Sequence, residues 1–129
     1  MDKLQKGFDK WLNGVLKPFD LKAAAFCFNI YENDGDENYS VELTAFDTYD
    51  EYDDDWNAGG SETYASRNDD NEYNFNMDAE WEECLEAVKG FISDYLEQGK
   101  YAQKLKQAEV VAYGFVDGDL EMAFKKQID

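Results

Sequence analysis

Apolar residues in the first part of the chain recur every three or four positions, which is the spacing of an amphipathic α-helix. The pattern predicts a helix over 3–16, and Pro18 ends it because proline cannot continue a helix. Lysines occupy the opposite side. The predicted apolar face consists of Leu4, Phe8, Trp11, Leu12, Val15 and Leu16.

The strongest helical pattern covers 79–98, with Asp78 as the predicted N-cap and Gly99 as the C-terminal stop. A short helix is predicted over 100–107. The long helix carries one continuous apolar stripe, and we expect the whole stripe to lie in the core. Its members are Trp81, Cys84, Leu85, Val88, Phe91, Ile92, Tyr95 and Leu96.

Two pairs of strands alternate with these helices. A strand over 23–31 is apolar on both faces, which predicts a central position in a sheet. It pairs through a turn at 33–36 with a strand over 39–47, whose Ser40, Glu42 and Thr44 are expected to point outward.

The C-terminal hairpin is predicted from strands over 109–116 and 119–126 that flank the two-residue turn Asp117-Gly118. This turn would place Val111, Tyr113 and Phe115 opposite Phe124, Met122 and Leu120, all on one side.

In the intervening segment 48–77, apolar and polar residues do not alternate regularly. Irregular structure with one short hairpin is expected there, with a turn at 57–60, a short strand within 61–67 and a loop over 68–76. The order α-β-β-(β)-α-α-β-β indicates an α+β fold, in which helices pack on one face of an antiparallel sheet of four to six strands. The 129 residues are expected to form a single domain, 1–129.

Charge is distributed very unevenly along the chain. The net charge is −18, and residues 32–83 hold 19 of the 30 acidic residues with Arg67 as their only basic residue. The flanking segments are balanced. Such a charge disfavours direct contact with nucleic acid or an anionic membrane and favours a basic protein as partner.

Other features point to a cytoplasmic protein. No run of 18 apolar residues predicts a membrane span, and the first residues lack the apolar core of a signal peptide. Cys27 and Cys84 lie within apolar patterns, so we expect reduced core cysteines rather than a disulfide.

No pattern indicates catalysis or a cofactor. The chain has no histidine, which removes the commonest general base, and it has no glycine-rich phosphate loop. Calcium is the alternative for the acidic clusters at 34–36 and 53–55. The EF-hand register fails, however, because it places Ile30 and Val41 at liganding positions. We therefore expect neither catalytic residues, nor a specific metal site, nor a cofactor.

The candidate binding site is the acidic tract 47–56, which is interleaved with aromatic residues. One interpretation is a solvated loop whose aromatics pack back on the sheet. The other is a docking surface in which Trp56 and Tyr52 are anchors and the carboxylates pair with lysine and arginine of the partner. The predicted partner-binding residues are Tyr49, Asp50, Tyr52, Asp53, Asp54, Asp55, Trp56, Asp69, Asp70 and Glu72.

The chain resembles the small acidic immunity proteins of bacterial polymorphic-toxin and contact-dependent inhibition systems. The resemblance depends on size, expected cytoplasmic character, the α+β layout and the stretch from Tyr49 to Trp56. The segment 114–120 is also similar to uncharacterised bacterial proteins. The resemblance implies neutralisation of one cognate toxin, often a basic nuclease whose active site the acidic surface blocks.

Three functions therefore stay open. The first is a non-catalytic immunity or inhibitor protein that binds a basic partner such as a toxin nuclease. The second is a DNA mimic that occupies a DNA-binding protein, which requires carboxylates about 7 Å apart along a ridge, as in one strand of the duplex. The third is a calcium-binding or other acidic globular domain. The oligomeric state is not determined by the sequence.

Overall fold

The computed structural model of the protein describes residues 2–53, 56 and 62–126, apart from the side chain of Asp2. Within these residues three α-helices and six strands follow one another, with a 3₁₀ helix at Ser66–Asp69. The elements are α1 Asp2–Leu16, β1 Ala25–Glu32, β2 Tyr39–Phe46, β3 Glu62–Ala65, β4 Tyr73–Phe75, α2 Trp81–Gln98, α3 Ala102–Lys106, β5 Val110–Phe115 and β6 Glu121–Lys125.

The strands form one sheet in the order β3-β2-β1-β5-β6, and β4 also pairs with β2. The α+β class and the central position of β1 are confirmed. The sheet is mixed, however, because β1 and β5 run parallel, from Ala25 beside Val110 to Ile30 beside Phe115. The prediction of an antiparallel sheet was wrong at this pair. A hairpin pattern predicts only how its own two strands pair. The pairing of β5 with β1 depends on the crossover through α2 and α3, which brings β5 back parallel to β1.

The helices cover one face of the sheet, as predicted. Phe26, Phe28 and Ile30 of β1 project into this main core, where they meet all three helices. Phe8 of α1 is fully buried at its centre, with its ring centroid 5.9 Å from that of Phe28 and 5.5 Å from that of Phe91.

The opposite face of the sheet is also covered, although by a loop instead of helices. A second apolar cluster there contains Ala25, Cys27, Phe46, Trp56, Val110 and Ala112. Every residue of β2 is buried, including Ser40, Glu42 and Thr44. The expectation that these three side chains point to solvent was wrong. Arg67 from the segment after β2 covers Glu42, whereas Thr44 donates to the carbonyl of Cys27 and Ser40 accepts from Asn33.

The segment 48–77 contains more sheet than expected. Both β3 and β4 pair antiparallel with β2, at opposite ends of it, and not with each other. The predicted short strand within 61–67 is confirmed as β3, whereas β4 lies where a loop was predicted. Asp70, between them, adopts a left-handed conformation with a φ of 54°. The predicted turn at 57–60 lies outside the described residues.

The C-terminal hairpin has a different register from the predicted one. Val111 pairs with Phe124 as expected, but a β-bulge then places Met122 beside Ala112 and Glu121 beside Tyr113. Leu120 consequently packs against the second cluster instead of the main core. The loop extends from 116 to 120, and only the N–H of Gly118 donates back to Phe115, at 2.9 Å. The bulge makes this loop longer than the two-residue turn that was predicted.

Gly114 permits the close return of this loop. A Cβ at Gly114 would lie 2.6 Å from the carbonyl oxygen of Asp119, which is too short for any ordinary contact. We expect Gly114→Ala to destabilise the fold by about 1–3 kcal/mol, the usual cost of an overpacked site. Gly90→Ala is the matched control, since Gly90 lies in helix α2 with no atom within 4 Å of the added Cβ. It should stabilise the protein by about 0.5–1 kcal/mol. Urea unfolding of both variants checks this pair, and equal effects would contradict it.

Both cysteines are buried and neither forms a disulfide, which confirms the expectation of reduced core cysteines. In the part of the chain that the structure describes, no helix combines the length and apolarity needed to cross a bilayer.

Candidate functional site

The predicted tract lies at the edge of the second cluster. Trp56 is only 7 % exposed, and its ring lies 5.3 Å from those of both Phe46 and Tyr49, edge to face. The prediction of Trp56 as an exposed anchor was therefore wrong. The alternative interpretation, in which tract aromatics pack back on the sheet, holds for Trp56 and for the partly buried Tyr49.

The rest of the tract is accessible where it is described. Tyr52 is 89 % exposed, and Asp50 and Asp53 are exposed on either side of it. Asp50 Oδ1 accepts a hydrogen bond of 2.9 Å from the backbone N–H of Tyr52, which closes a local turn. Asp54 and Asp55 lie outside the described residues.

The other predicted residues belong to the connection between β3 and β4. Asp69 ends the 3₁₀ helix and Asp70 follows it, both exposed, while Glu72 is partly buried. They remain candidates for contact with a partner.

A carboxylate cluster lies under this connection. Glu42 of β2 has no exposed side-chain surface, and its Oε1 accepts a 2.6 Å hydrogen bond from Nη1 of Arg67, the only arginine in the chain. Its Oε2 accepts from the Tyr31 hydroxyl and, at 3.4 Å, from the Asn29 amide. Arg67 Nη2 also contacts Glu62, at 3.0 Å. Both oxygens of Glu42 thus accept hydrogen bonds. Through Arg67, the cluster links the 3₁₀ helix to Glu42 of β2 and Glu62 of β3.

Burial and hydrogen bonding explain the ionisation of this cluster. Burial and the Glu42 carboxylate both raise the pKa of Tyr31. The hydrogen bond to Glu42 raises the pKa of Arg67, although burial opposes it. The phenol of Tyr31 is therefore held neutral and the guanidinium of Arg67 charged, which preserves the hydrogen bonds that both donate to Glu42.

A surface depression lies at the start of helix α2. This feature, called the acidic groove below, has a volume of about 460 Å³, and Glu32 lies at its edge. Trp81, Leu85 and Phe115 form its apolar lining, and Asp117, Asp119 and Glu121 complete its acidic rim. No lysine or arginine among the described residues lines it. A second depression of about 510 Å³ shares Glu32 and adds Asp78, Glu80 and Glu83.

Hydrogen bonds hold the two sides of these depressions together. The side-chain amide of Asn38 donates to the carbonyl of Met77 and accepts from its N–H, each at 2.9 Å. The Tyr39 hydroxyl donates to the carbonyl of Ala79 at 2.7 Å. The loop between β1 and β2 is thereby fastened to the segment before α2, which keeps Glu32 close to Glu80.

The first turn of α2 differs from the prediction. The helix begins at Trp81, and the N-cap is Glu80 in extended conformation without a side-chain cap, so the prediction of Asp78 as N-cap was wrong. Trp81 is 48 % exposed, although it was expected in the core. Its ring touches only the end of the core, 6.2 Å from Phe115 at 88°. From Cys84 onward the stripe is buried, except for the partly buried Leu85.

The acidic residues at this end of the molecule contribute to the raised pKa values of groups buried beneath them. Burial raises the pKa of the Cys84 thiol to about 12, with a further contribution from Glu32. Burial also raises the pKa of Tyr39, and Glu32 and Glu80 add to the shift. On the far side of the groove, burial and then Glu121 raise the pKa of Tyr113 to about 12. In all three groups burial is the larger cause of the raised pKa, and the acidic residues at this end of the molecule add to it.

No protein family model, curated protein or solved structure matches this chain. The shape and charge of its own surface are therefore the basis for proposing a function. Within the described residues, no three carboxylate or cysteine side chains lie close enough to hold a metal ion. The groove has an accessible indole and an apolar floor, and carboxylates surround both. This arrangement suits long cationic side chains.

The sequence contains only a weak signal for the acidic groove. Trp81 lies among Glu80, Glu82 and Glu83, and an aromatic within an acidic first turn is a candidate for exposure. Its spacing also fits the apolar stripe, however, and the stripe led to the core prediction. Asp117 is predicted in the turn and Asp119 at the start of the strand 119–126, and nothing local indicates that either approaches Glu32.

Alkaline pH should unfold the protein. Tyrosine pKa values that are raised above the ordinary value near 10, such as the value of about 12 for Tyr113, stabilise the fold fully below pH 10. This contribution is lost as the pH rises through the folded value, at about 1.4 kcal/mol per pH unit for each such group. Urea unfolding between pH 8 and 12 measures the slope. Tyr113→Phe should flatten it, and an unchanged slope would contradict the assignment.

Proposed function

We propose that this protein is a non-catalytic acidic binding protein that neutralises a basic protein in the cytoplasm, in the manner of the immunity proteins that it resembles. The observation that supports this most is the acidic end of the molecule, where the acidic groove and the second depression lie. Carboxylates from the end of β1, the start of α2 and the loop before β6 surround adjoining depressions that no described basic residue lines.

The electrostatics explain how such a surface would select its partner. Close carboxylates repel one another in the unbound protein, and a cationic surface relieves that repulsion on binding. The same negative potential attracts a basic partner over a distance, which speeds association at low ionic strength and repels nucleic acid. A toxin nuclease fits this description, because the lysines and arginines that bind its phosphates would pair with these carboxylates.

The exposed part of the predicted tract belongs to this proposal as a separate outer contact, because the tract lies beside the start of β5 and the groove lies at the end of that strand. Tyr52, with Asp50 and Asp53 beside it, offers an accessible ring among carboxylates. Charges at the periphery of an interface influence the association rate more than the dissociation rate. We therefore expect Asp50→Lys with Asp53→Lys to slow association several-fold and to weaken its dependence on salt, which stopped-flow mixing with the partner measures. Unchanged kinetics would remove the tract from the interface.

The proposal is tested with the proteins encoded beside the gene. A toxin domain encoded there should arrest growth when expressed alone and should be harmless when coexpressed with this protein. The purified pair should form a stoichiometric complex whose affinity falls with salt. Continued toxicity in the presence of this protein, together with no complex at 50 mM salt, would overturn the proposal.

The same complex distinguishes an immunity protein from a DNA mimic. An immunity protein abolishes the enzymatic activity of its toxin. A DNA mimic instead competes with duplex DNA for a partner that binds DNA without cleaving it. A captured partner of the second kind would replace the proposal.

A further inference from the structure

Trp81 is the one tryptophan of the chain with a largely accessible indole. Trp11 is buried and donates through Nε1 to the carbonyl of Asn71 at 3.0 Å, and Trp56 is buried in the second cluster. Trp81, 48 % exposed, instead lines the acidic groove together with Leu85 and Phe115. An indole left half in water at the floor of a groove is an energetic cost that contact with a partner would remove.

The groove combines this apolar floor with charge on several sides. Glu32 comes from β1, Asp119 from the loop before β6, and Glu121 from the start of β6. The volume of about 460 Å³ lies within the range of ordinary ligand sites, roughly 300–1,000 Å³. The occupant must therefore be apolar along its length and positively charged at its end.

We propose that the acidic groove is the primary docking site for the basic partner and takes one lysine or arginine side chain from it. The methylene groups of that side chain lie on Trp81, Leu85 and Phe115, and its charge is paired by Glu32, Asp119 and Glu121. The inference rests on the proposed function and names the part of the surface that performs it.

Other occupants fit the groove less well. A purely apolar side chain would remove water from the rim carboxylates without pairing them, which is costly. An anion would be repelled by the same rim. A second copy of this chain carries a net charge of −18, so two copies repel each other.

The second depression indicates what lies next to that side chain in the partner. It shares Glu32 with the groove and is lined by Asp78, Glu80 and Glu83. A second positive charge a few residues along the same partner segment would reach these carboxylates. The occupant is thus a short segment with two neighbouring basic residues.

The test follows the indole N–H signals by nuclear magnetic resonance while a blocked pentapeptide of alternating glycine and lysine is added at 20 mM salt. The Trp81 signal should shift saturably, and those of Trp11 and Trp56 should stay in place as internal controls. The arginine peptide should also bind. A peptide of 2,3-diaminopropionate has the same charge but fewer methylenes and should bind more weakly, and the glutamate peptide should not bind.

Variants then locate the site. Trp81→Ala, at a half-exposed position, should weaken the lysine peptide about five- to thirtyfold, the factor expected for a cation–π contact. Binding is followed there by backbone amide shifts around the groove, and the same spectra show that the variant is folded. Glu32→Gln with Glu121→Gln should weaken it further and lower its salt dependence. Leu21→Ala, at a similarly exposed position (44 %) between α1 and β1, is the matched control and should bind as the wild type does.

Three results would overturn the inference. The first is a peptide that binds with unchanged affinity to Trp81→Ala, or that shifts only the tract. The second is the absence of any shift at 20 mM salt. The third is a Trp81 signal that moves with protein concentration alone, which would identify a second copy as the occupant.

Neutralisation assays with the groove variants distinguish failure of this inference from failure of the proposed function. If the coexpressed toxin is neutralised but the groove variants neutralise it equally well, the function holds and the groove is not its primary docking site. If no partner is neutralised, the proposed function fails, whatever the peptide does.

Discussion

Replacing Arg67 by methionine is expected to lower the free energy of unfolding by about 1–3 kcal/mol at neutral pH, because a buried carboxylate oxygen loses its donor although Arg67 itself is 41 % exposed. Glu42 has no exposed side-chain surface, and Arg67 is its only cationic contact among the described residues. Methionine fills similar space without charge, so Glu42 Oε1 would lose its cationic donor while Oε2 keeps the hydrogen bonds from Tyr31 and Asn29. Urea unfolding followed by circular dichroism measures the loss.

Two further variants separate charge from packing. Glu42→Gln combined with Arg67→Met removes both charges and should recover much of the lost stability, since no buried charge is left unpaired. Glu62→Gln removes only the more exposed partner of Arg67 and should cost less than about 1 kcal/mol. A loss below 1 kcal/mol for Arg67→Met itself would show that the cluster does not hold the β3 segment.

Trp56→Ala is expected to cost about 3–5 kcal/mol, as large-to-small substitutions of buried aromatics do. The indole fills the second cluster between Phe46 and Tyr49, and it attaches the tract to the sheet. Its loss should also release the preceding segment, which hydrogen exchange of the amides at 47–53 would detect as faster exchange.

The matched variant is Tyr52→Ala in the same tract. Tyr52 is 89 % exposed, so its removal should change stability by less than about 0.5 kcal/mol. A large loss for Tyr52→Ala, or a small one for Trp56→Ala, would reverse the roles that the structure assigns to these two aromatics. The comparison matters for function, because only the exposed ring can contact a partner directly.

Residues that obey a local rule were predicted well. The apolar face of α1, the alternation of β1 and the buried stripe from Cys84 to Leu96 are all found in the main core. The helical and strand periods are properties of a few neighbouring residues, so a single segment suffices to recognise them. Gly99 is likewise the residue that caps the end of α2.

Residues whose role depends on distant segments were predicted poorly. Trp56 was expected at a binding surface and lies in the second cluster, whereas Trp81 was expected in the core and lies half exposed in the acidic groove. Glu42 fits an outward position by alternation, yet Arg67, 25 residues away, folds over it. In each case the local pattern is the same for a buried and an exposed position.

The sequence by itself determined the elements other than β4, the α+β class and the concentration of acid between residues 32 and 83, because composition and period are local quantities. Only the tertiary structure decided that β5 lies parallel beside β1 and that a loop buries the second face of the sheet. It also decided which acids meet around Trp81. Glu32, Glu80 and Asp119 are far apart in the chain, and only the crossover through α2 and α3 brings them to one end of the molecule.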